Sequence, residues 1–160
     1  MPTSDELLRE AKRSFSSTDS PVPRRGLAVV TCMDARIDPW RIHRADRGDL
    51  HVIRNAGAVV TDDVRRSLVV SVVVFGVRKV ELMMHTDCGA CGLDEEAVAA
   101  KARATTGAVP TEDLLGFDDL EAQLRDGVHE LRTHPVIGTA AAVVGSVYDV
   151  ARDARRVVVP

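Results

Sequence analysis

Aromatic side chains are scarce in this sequence: they make up 3% of its 160 residues, while hydrophobic residues as a whole make up 45%. A folded core must therefore be built mainly from Val, Ala, Leu and Ile. A chain of this length is expected to form one domain with a sizeable core.

Long apolar runs are also missing. No stretch approaches the roughly 20 apolar residues that a membrane-spanning helix needs. The first residues, Met1 to Glu6, contain no apolar run of the kind found in a signal peptide. Three cysteines in such a chain favour metal binding or redox chemistry over a disulfide framework. We therefore expect a cytoplasmic protein with no membrane partner.

A concentrated positive charge is absent as well. The 21 Lys and Arg residues are scattered among 24 Asp and Glu residues, and the formal net charge is −3. This pattern does not indicate a nucleic-acid surface. No glycine-rich phosphate-binding motif follows the first predicted strand, which argues against a nucleotide-binding module.

The N-terminal residues predict an arm that is separate from the body of the protein. Thr3 and Glu6 have the spacing of a capping box, and apolar residues follow at helical intervals. Residues 16–25 are rich in Ser and Pro, which is typical of a linker. We predict an arm helix and linker over 1–25 and a single α/β domain over 26–160.

The body shows the pattern of an α/β fold. Short apolar segments predict strands, and between them Thr61 can cap a helix that begins at Asp62. That helix is apolar on nearly all sides, which suggests a subunit interface. We expect a mainly parallel open sheet flanked by helices. Strands are predicted at 26–31, 51–54, 80–85, 142–150 and 155–159, and helices at 62–75, 94–104 and about 120–131.

Two chemically matched segments follow two of these strands. The first is Thr31-Cys32-Met33-Asp34-Ala35-Arg36, and the second is His85-Thr86-Asp87-Cys88-Gly89. In a 2-1-3 strand order the carboxyl ends of the first and third strands are neighbours, and ligands bind in the crevice outside such ends. The predicted fold therefore brings the two segments together.

The side chains of these segments indicate a metal site. Cys32, His85 and Cys88 offer two thiolates and one imidazole, which is a catalytic type of zinc set because the fourth position stays open. Taken singly, each residue has a simpler explanation, since free Cys is often just a small buried hydrophobe. The complete set, with Asp34 and Arg36 at alternating positions after Cys32, favours the metal site.

The two segments resemble the signatures of the β-class carbonic anhydrases, Cys-x-Asp-x-Arg and His-x-x-Cys-Gly. The stretch Arg54-Asn55-Ala56-Gly57-Ala58 is also similar to a segment of that family, and the short chain resembles its compact actinobacterial-type branch. The resemblance implies an α/β fold and one Zn²⁺ per chain, held by Cys32, His85 and Cys88.

The resemblance also implies a reaction and an assembly. The reaction is the reversible hydration of CO₂ to bicarbonate and a proton, by attack of a zinc-bound hydroxide. Asp34 and Arg36 correspond to the catalytic dyad of the family, in which the carboxylate orients the hydroxide and the guanidinium holds the carboxylate. The implied unit is a homodimer or a higher even oligomer, with the arm helix wrapped around a partner subunit.

Other residues near the motifs have less specific roles. Gly57 can present its backbone N–H near the substrate, although a turn is the commoner role of such a glycine. For Asp87 we favour a loop-turning role over a contact with the metal surroundings. We expect Cys91 to be a free or packed thiol and not a ligand.

Two questions stay open at this point. The same centre could hydrolyse carbonyl sulfide or carbon disulfide, or the chain could be a non-catalytic zinc and thiol redox sensor that uses Cys88 and Cys91. The fourth metal position could hold water or the carboxylate of Asp34.

Overall fold

The computed structural model describes residues 20–160. The predicted N-terminal arm helix lies outside these residues. In chain order, the elements are β1 (Leu27–Cys32), α1 (Pro39–His43), β2 (Leu50–Asn55), α2 (Asp62–Val73), β3 (Lys79–His85), α3 (Glu95–Thr106), α4 (Leu120–Thr133), α5 (Ile137–Ala140), β4 (Ala142–Asp149) and β5 (Ala154–Val159).

The five strands form a single sheet in the order β2-β1-β3-β4-β5. The first four are parallel, and β5 runs antiparallel to β4 at one edge. In the register of the central strands, Val30 lies between Ile53 of β2 and Leu82 of β3. The predicted α/β class, with a mainly parallel open sheet, is confirmed.

Apolar packing covers both faces of this sheet. On one face, Leu82 packs with side chains of α2 and α4, including Leu68 and Leu124. On the other face, a smaller cluster forms around Met83 and Tyr148. Central strands that are buried on both faces read as continuous apolar runs, which is why the sequence shows them so clearly. None of the helices in residues 20–160 is long and apolar enough to cross a membrane.

Helix α2 forms where β-propensity alone would favour a strand. The Thr61 side chain accepts a hydrogen bond from the backbone N–H of Val64, and Val64, Leu68 and Val72 are buried at helical spacing. The helix ends at Val73, slightly before the predicted end at residue 75. The N-cap and the buried stripe together outweigh the strand propensity of its valines.

Short elements were harder to predict from the sequence. Helix α1 follows the N-cap Asp38, and α5 follows Val136. Neither helix was predicted, because each has too few residues to show a helical period. The end of the helix predicted over 94–104 was placed too early. Helix α3 continues to Thr106 and ends at Gly107, which has the left-handed φ of +79° that glycine adopts without strain.

Candidate metal centre and its surroundings

The sheet places the predicted metal-binding side chains near the carboxyl ends of two adjacent strands. Cys32 is the last residue of β1 and His85 is the last residue of β3, and the two strands are adjacent and parallel. Cys88 follows in the loop after β3. The Sγ atoms of Cys32 and Cys88 are 3.9 Å apart, and the ligand atoms of all three residues lie within 4.8 Å of one another. All three side chains are buried.

The geometry of these atoms fits a tetrahedral zinc ion. Two sulfur atoms that are each bound to such an ion at 2.3 Å lie about 3.8 Å apart. The Nδ1–H of His85 donates to the carbonyl oxygen of Thr86 at 2.9 Å, so that the lone pair of this ring is on Nε2. The Nε2 atom is buried and has no hydrogen-bond partner among residues 20–160. A buried polar atom without a partner requires an explanation, and a metal ion supplies one.

The protonation of the thiols depends on what lies between them. Burial raises the pKa of the Cys88 thiol, and the neighbouring sulfur of Cys32 adds to this effect. A divalent cation has the opposite effect, because a thiol that coordinates one is deprotonated. The two neighbouring sulfur atoms therefore favour a bound cation, and they disfavour two thiolates with no cation between them.

Arg36 holds the carboxylate of Asp34 beside this cluster. The Nε–H and Nη2–H groups of Arg36 donate to Oδ1 and Oδ2 of Asp34 at 3.0 and 2.7 Å, and the Arg36 backbone N–H donates to Oδ1 at 2.9 Å. These hydrogen bonds hold the pKa of Asp34 well below its usual range, and they raise the pKa of Arg36. Asp34 is therefore ionised and fixed in orientation.

Asp87 also contacts Arg36. Its φ of +55° turns the loop between His85 and Cys88. Its carbonyl oxygen accepts from Arg36 Nη2 at 2.8 Å, and its carboxylate accepts from Nη1 at 2.7 Å. The loop-turning role favoured from the sequence is thus accompanied by an ion pair. No spacing in the sequence predicts this ion pair, because it joins two loops that are far apart in the chain.

Arg54 is a contact residue that sequence reasoning did not single out. Its Nε–H donates to the carbonyl oxygen of Cys32 at 2.9 Å, and its Nη2–H donates to that of Asp34 at 2.7 Å. It thereby braces the backbone on either side of Met33. Its sequence signal is its place in the stretch Arg54-Asn55-Ala56-Gly57-Ala58, and in the structure it pairs with Thr31 near the end of β2.

An apolar cavity of about 350 Å³ opens over the cluster. Its walls include Cys32, Met33, Asp34, Ala56, Gly57, Cys88, Gly89, Ala90, Leu93 and Leu114. Gly57 has a φ of +73°, and a Cβ atom at this position would lie 2.9 Å from Cβ of Ala90. Cys91 is exposed and lies outside the metal cluster, and its thiol is directed to the carbonyl oxygen of Asp118 at 3.6 Å.

Comparisons with known proteins agree with this geometry. A family model described as carbonic anhydrase matches residues 27–112. β-Carbonic anhydrase 1 of Mycobacterium tuberculosis (strain H37Rv) is 34% identical over 154 residues, which cover 94% of each chain. A carbon disulfide hydrolase of Acidianus sp. is 33% identical over 151 residues, which cover 79% of this chain and 74% of the relative.

Solved structures extend the likeness to the whole architecture. The crystal structure of carbonic anhydrase from Streptococcus mutans superposes with a TM-score of 0.83 at 30% identity and covers 99% of both chains. The family model and the solved structure identify the same family. The chain belongs to the β-carbonic anhydrase family.

Proposed function

We propose that this protein is a zinc enzyme that catalyses the reversible hydration of CO₂ to bicarbonate and a proton. One observation carries the proposal: the unpartnered Nε2 atom of buried His85 lies among two cysteine sulfurs, beside a carboxylate that an arginine holds in place. The family of the chain supports the same reaction.

Cys32, His85 and Cys88 are the proposed ligands of one Zn²⁺ per chain. When bound, the ion would supply Lewis-acid chemistry that lowers the pKa of water, so that a hydroxide nucleophile becomes accessible. The hydrogen bond from His85 Nδ1 to Thr86 directs Nε2 to the metal position. The backbone contact of Arg54 with Cys32 fixes the strand end that carries the first sulfur.

Asp34 orients the nucleophile in this proposal. Its Oδ2 atom lies 3.9 Å from Nε2 of His85, which places the carboxylate next to the ligand set. Oδ2 receives one hydrogen bond from Arg36, and a carboxylate oxygen can accept another. Asp34 therefore accepts a hydrogen bond from the O–H of the attacking water, which turns a lone pair of the water oxygen toward the substrate. Arg36 keeps Asp34 ionised and away from the fourth metal position.

The cavity suits a small apolar substrate. Alanine and leucine side chains surround the approach to the cluster, and Gly57 leaves room beside Ala90. CO₂ has no net charge and no hydrogen-bond donor, so this lining costs little desolvation of polar groups. We include Gly57 as a substrate-contacting position on this ground.

A stopped-flow assay of CO₂ hydration, with the zinc content measured on the same sample, tests the proposal. Zinc-loaded protein should accelerate hydration, and Cys32→Ser should lose both zinc and activity. Cys91→Ser is the matched control and should keep both, because Cys91 lies outside the cluster. Hydration at the buffer rate by protein with a full zinc content would overturn the proposal, and reversible thiol oxidation with zinc release would then identify a redox sensor.

A second candidate reaction is the hydrolysis of carbon disulfide or carbonyl sulfide. The relative from Acidianus sp. is a carbon disulfide hydrolase, and the apolar cavity has no charged wall residue apart from Asp34 and the cysteines among its lining. Side-by-side assays with CO₂, carbonyl sulfide and carbon disulfide give the order of kcat/KM. We expect CO₂ to be preferred.

We further propose that the protein acts in the cytoplasm as a homodimer or a higher even oligomer. Exposed apolar side chains lie on α2 and directly after it, at Val70, Val73 and Val74. A second subunit could cover them. Light scattering at several protein concentrations measures the assembly directly. A monomer at micromolar concentration would contradict this part of the proposal.

A further inference from the structure

Arg36 joins the two loops that carry the candidate metal ligands. Its own loop follows β1 and Cys32, while Asp87 belongs to the loop between His85 and Cys88. Through Nε and Nη2 the guanidinium contacts Asp34, and through Nη2 and Nη1 it contacts Asp87. The orientation of Asp34 therefore depends on both loops.

The two carboxylates bind different nitrogen atoms of the guanidinium. Asp34 takes the edge formed by Nε and Nη2, and the Asp87 carboxylate takes Nη1. The planar fork of an arginine fixes both directions at once. Without the contact at Nη1, the guanidinium keeps Asp34 and the Asp87 carbonyl oxygen but loses one of its two contacts with the second loop.

Stability alone does not explain the Asp87 contact. The Asp87 side chain is 82% exposed and the Arg36 side chain is 44% exposed. Ion pairs between exposed side chains contribute about 0–1 kcal/mol to the free energy of folding. The Asp34 side chain, in contrast, is 17% exposed. The exposed Asp87 thus contacts Arg36, which is the residue that orients the mostly buried Asp34.

We propose that Asp87 is a positioning residue, which holds Arg36 so that Asp34 stays aligned with the attacking water. The proposal rests on the proposed function, because it concerns the dyad of that reaction. Asp87 acts through Arg36 and does not touch the substrate. Any loss on its removal therefore requires Arg36 to be present.

The backbone of the loop decides which variants are informative. The φ of Asp87 is +55°, a left-handed conformation that Asn and Gly adopt readily and that strains Ala. Asp87→Asn removes the charge, and Asp87→Gly removes the side chain, while both keep the carbonyl contact with Arg36 available. Asp126→Asn, an exposed position on α4, is the matched control.

The first measurement observes Arg36 itself. Zinc-loaded protein labelled with ¹⁵N-arginine gives side-chain N–H resonances, and the Arg36 signal is assigned by its loss in Arg36→Lys. In Asp87→Gly this signal should shift and its solvent exchange should speed up about 10-fold, with a smaller change in Asp87→Asn and none in Asp126→Asn. An Arg36 signal that is unchanged in Asp87→Gly would overturn the proposal.

The second measurement is a kinetic double-mutant cycle at equal zinc content. Asp87→Gly should lower kcat for CO₂ about 10-fold with KM unchanged, because misaligned groups weaken the chemical step. Asp87→Gly should cause no further loss when Arg36 is already Ala. Losses that multiply in the double variant would contradict action through Arg36. If the parent protein hydrates no CO₂, the proposed function fails, and the arginine spectrum still decides whether Asp87 holds Arg36.

Discussion

Oδ2 of Asp34 lies 3.9 Å from Nε2 of His85, and the same oxygen accepts a hydrogen bond from Nη2 of Arg36 at 2.7 Å. The carboxylate thus lies next to the candidate metal ligands while an arginine holds it. Its second oxygen is held as well, by Nε and the backbone N–H of Arg36. Arg36 and a metal ion at the cluster would compete for this one carboxylate.

Arg36→Ala should reduce CO₂ hydration about 100-fold while zinc stays bound, because Asp34 loses the partner that orients it. Freed from Arg36, the carboxylate can also enter the fourth metal position and close the site. Stopped-flow rates and zinc content measured on one sample test this. Arg66→Ala, which removes an exposed arginine of α2 that is paired with Asp63, should keep full activity. Full activity in Arg36→Ala would remove the dyad from the mechanism.

The hydration rate of the parent protein should rise between about pH 6 and 9. Two thiolate ligands largely neutralise Zn²⁺, so that a coordinated water is acidified less than it is by three neutral imidazoles. The Asp34 carboxylate remains ionised over this whole range, since Arg36 holds its pKa well below the usual value. A stopped-flow profile of kcat against pH, in several buffers, checks the slope. A flat profile would contradict a near-neutral metal centre.

The cluster of Cys32, His85 and Cys88 was predictable because its residues end or follow strands that the sequence shows as apolar runs. Cys32 and His85 end such runs, and the rule for open parallel sheets brings their ends together. The contacts of Arg54 and Asp87 were not predictable in the same way. They depend on where long side chains point and on the left-handed φ of one loop residue, and neither leaves a periodic pattern in the sequence.

Arg54→Lys should lower activity several-fold and stability by about 1 kcal/mol, because a lysine cannot hold two carbonyl oxygens in the fixed directions of a guanidinium. The affected carbonyls belong to Cys32 and Asp34, so the change should act on the metal-binding loop. Urea unfolding and stopped-flow assays measure the two effects. Arg103→Lys, an exposed position on α3, is the control. Unchanged kinetics in Arg54→Lys would show that the backbone holds its shape without this brace.

Gly57→Ala should destabilise the protein by about 2–3 kcal/mol and lower its activity. The left-handed backbone costs an alanine about 1–2 kcal/mol, and the added Cβ would meet Ala90 at 2.9 Å and Phe117 at 3.1 Å. Gly107→Ala separates these causes, because Gly107 has a φ of +79° and no atom within 4 Å of the added Cβ. In urea unfolding, Gly107→Ala should lose only the part of the free energy of unfolding that the left-handed backbone costs. Equal losses in the two variants would refute a steric role for Ala90 and Phe117.

A second polar cluster lies within the sheet, away from the metal centre. Glu81 of β3 is buried, and its carboxylate accepts hydrogen bonds from Ser146 and Arg155 and contacts Nε2 of His43 at 3.1 Å. Burial alone would raise the pKa of Glu81, but the hydrogen bonds with His43, Ser146 and Arg155 outweigh it and lower the pKa to about 2. The folded protein therefore keeps this carboxylate charged.

The lowered pKa predicts a specific loss of stability in acid. A carboxyl group with a depressed pKa stabilises the fold fully above its ordinary pKa of 4.5, and this contribution disappears as the pH falls toward about 2. At 1.36 kcal/mol per pKa unit the contribution is about 3 kcal/mol.

Urea unfolding of the parent protein and of Glu81→Gln, from pH 7 to pH 2.5, measures this contribution as the difference between their free energies of unfolding. The variant should be less stable at pH 7, and the gap should narrow below pH 4.5. Metal release in acid affects both proteins and largely cancels in the difference. Curves that stay parallel through this window would show that Glu81 has an ordinary pKa in the folded protein.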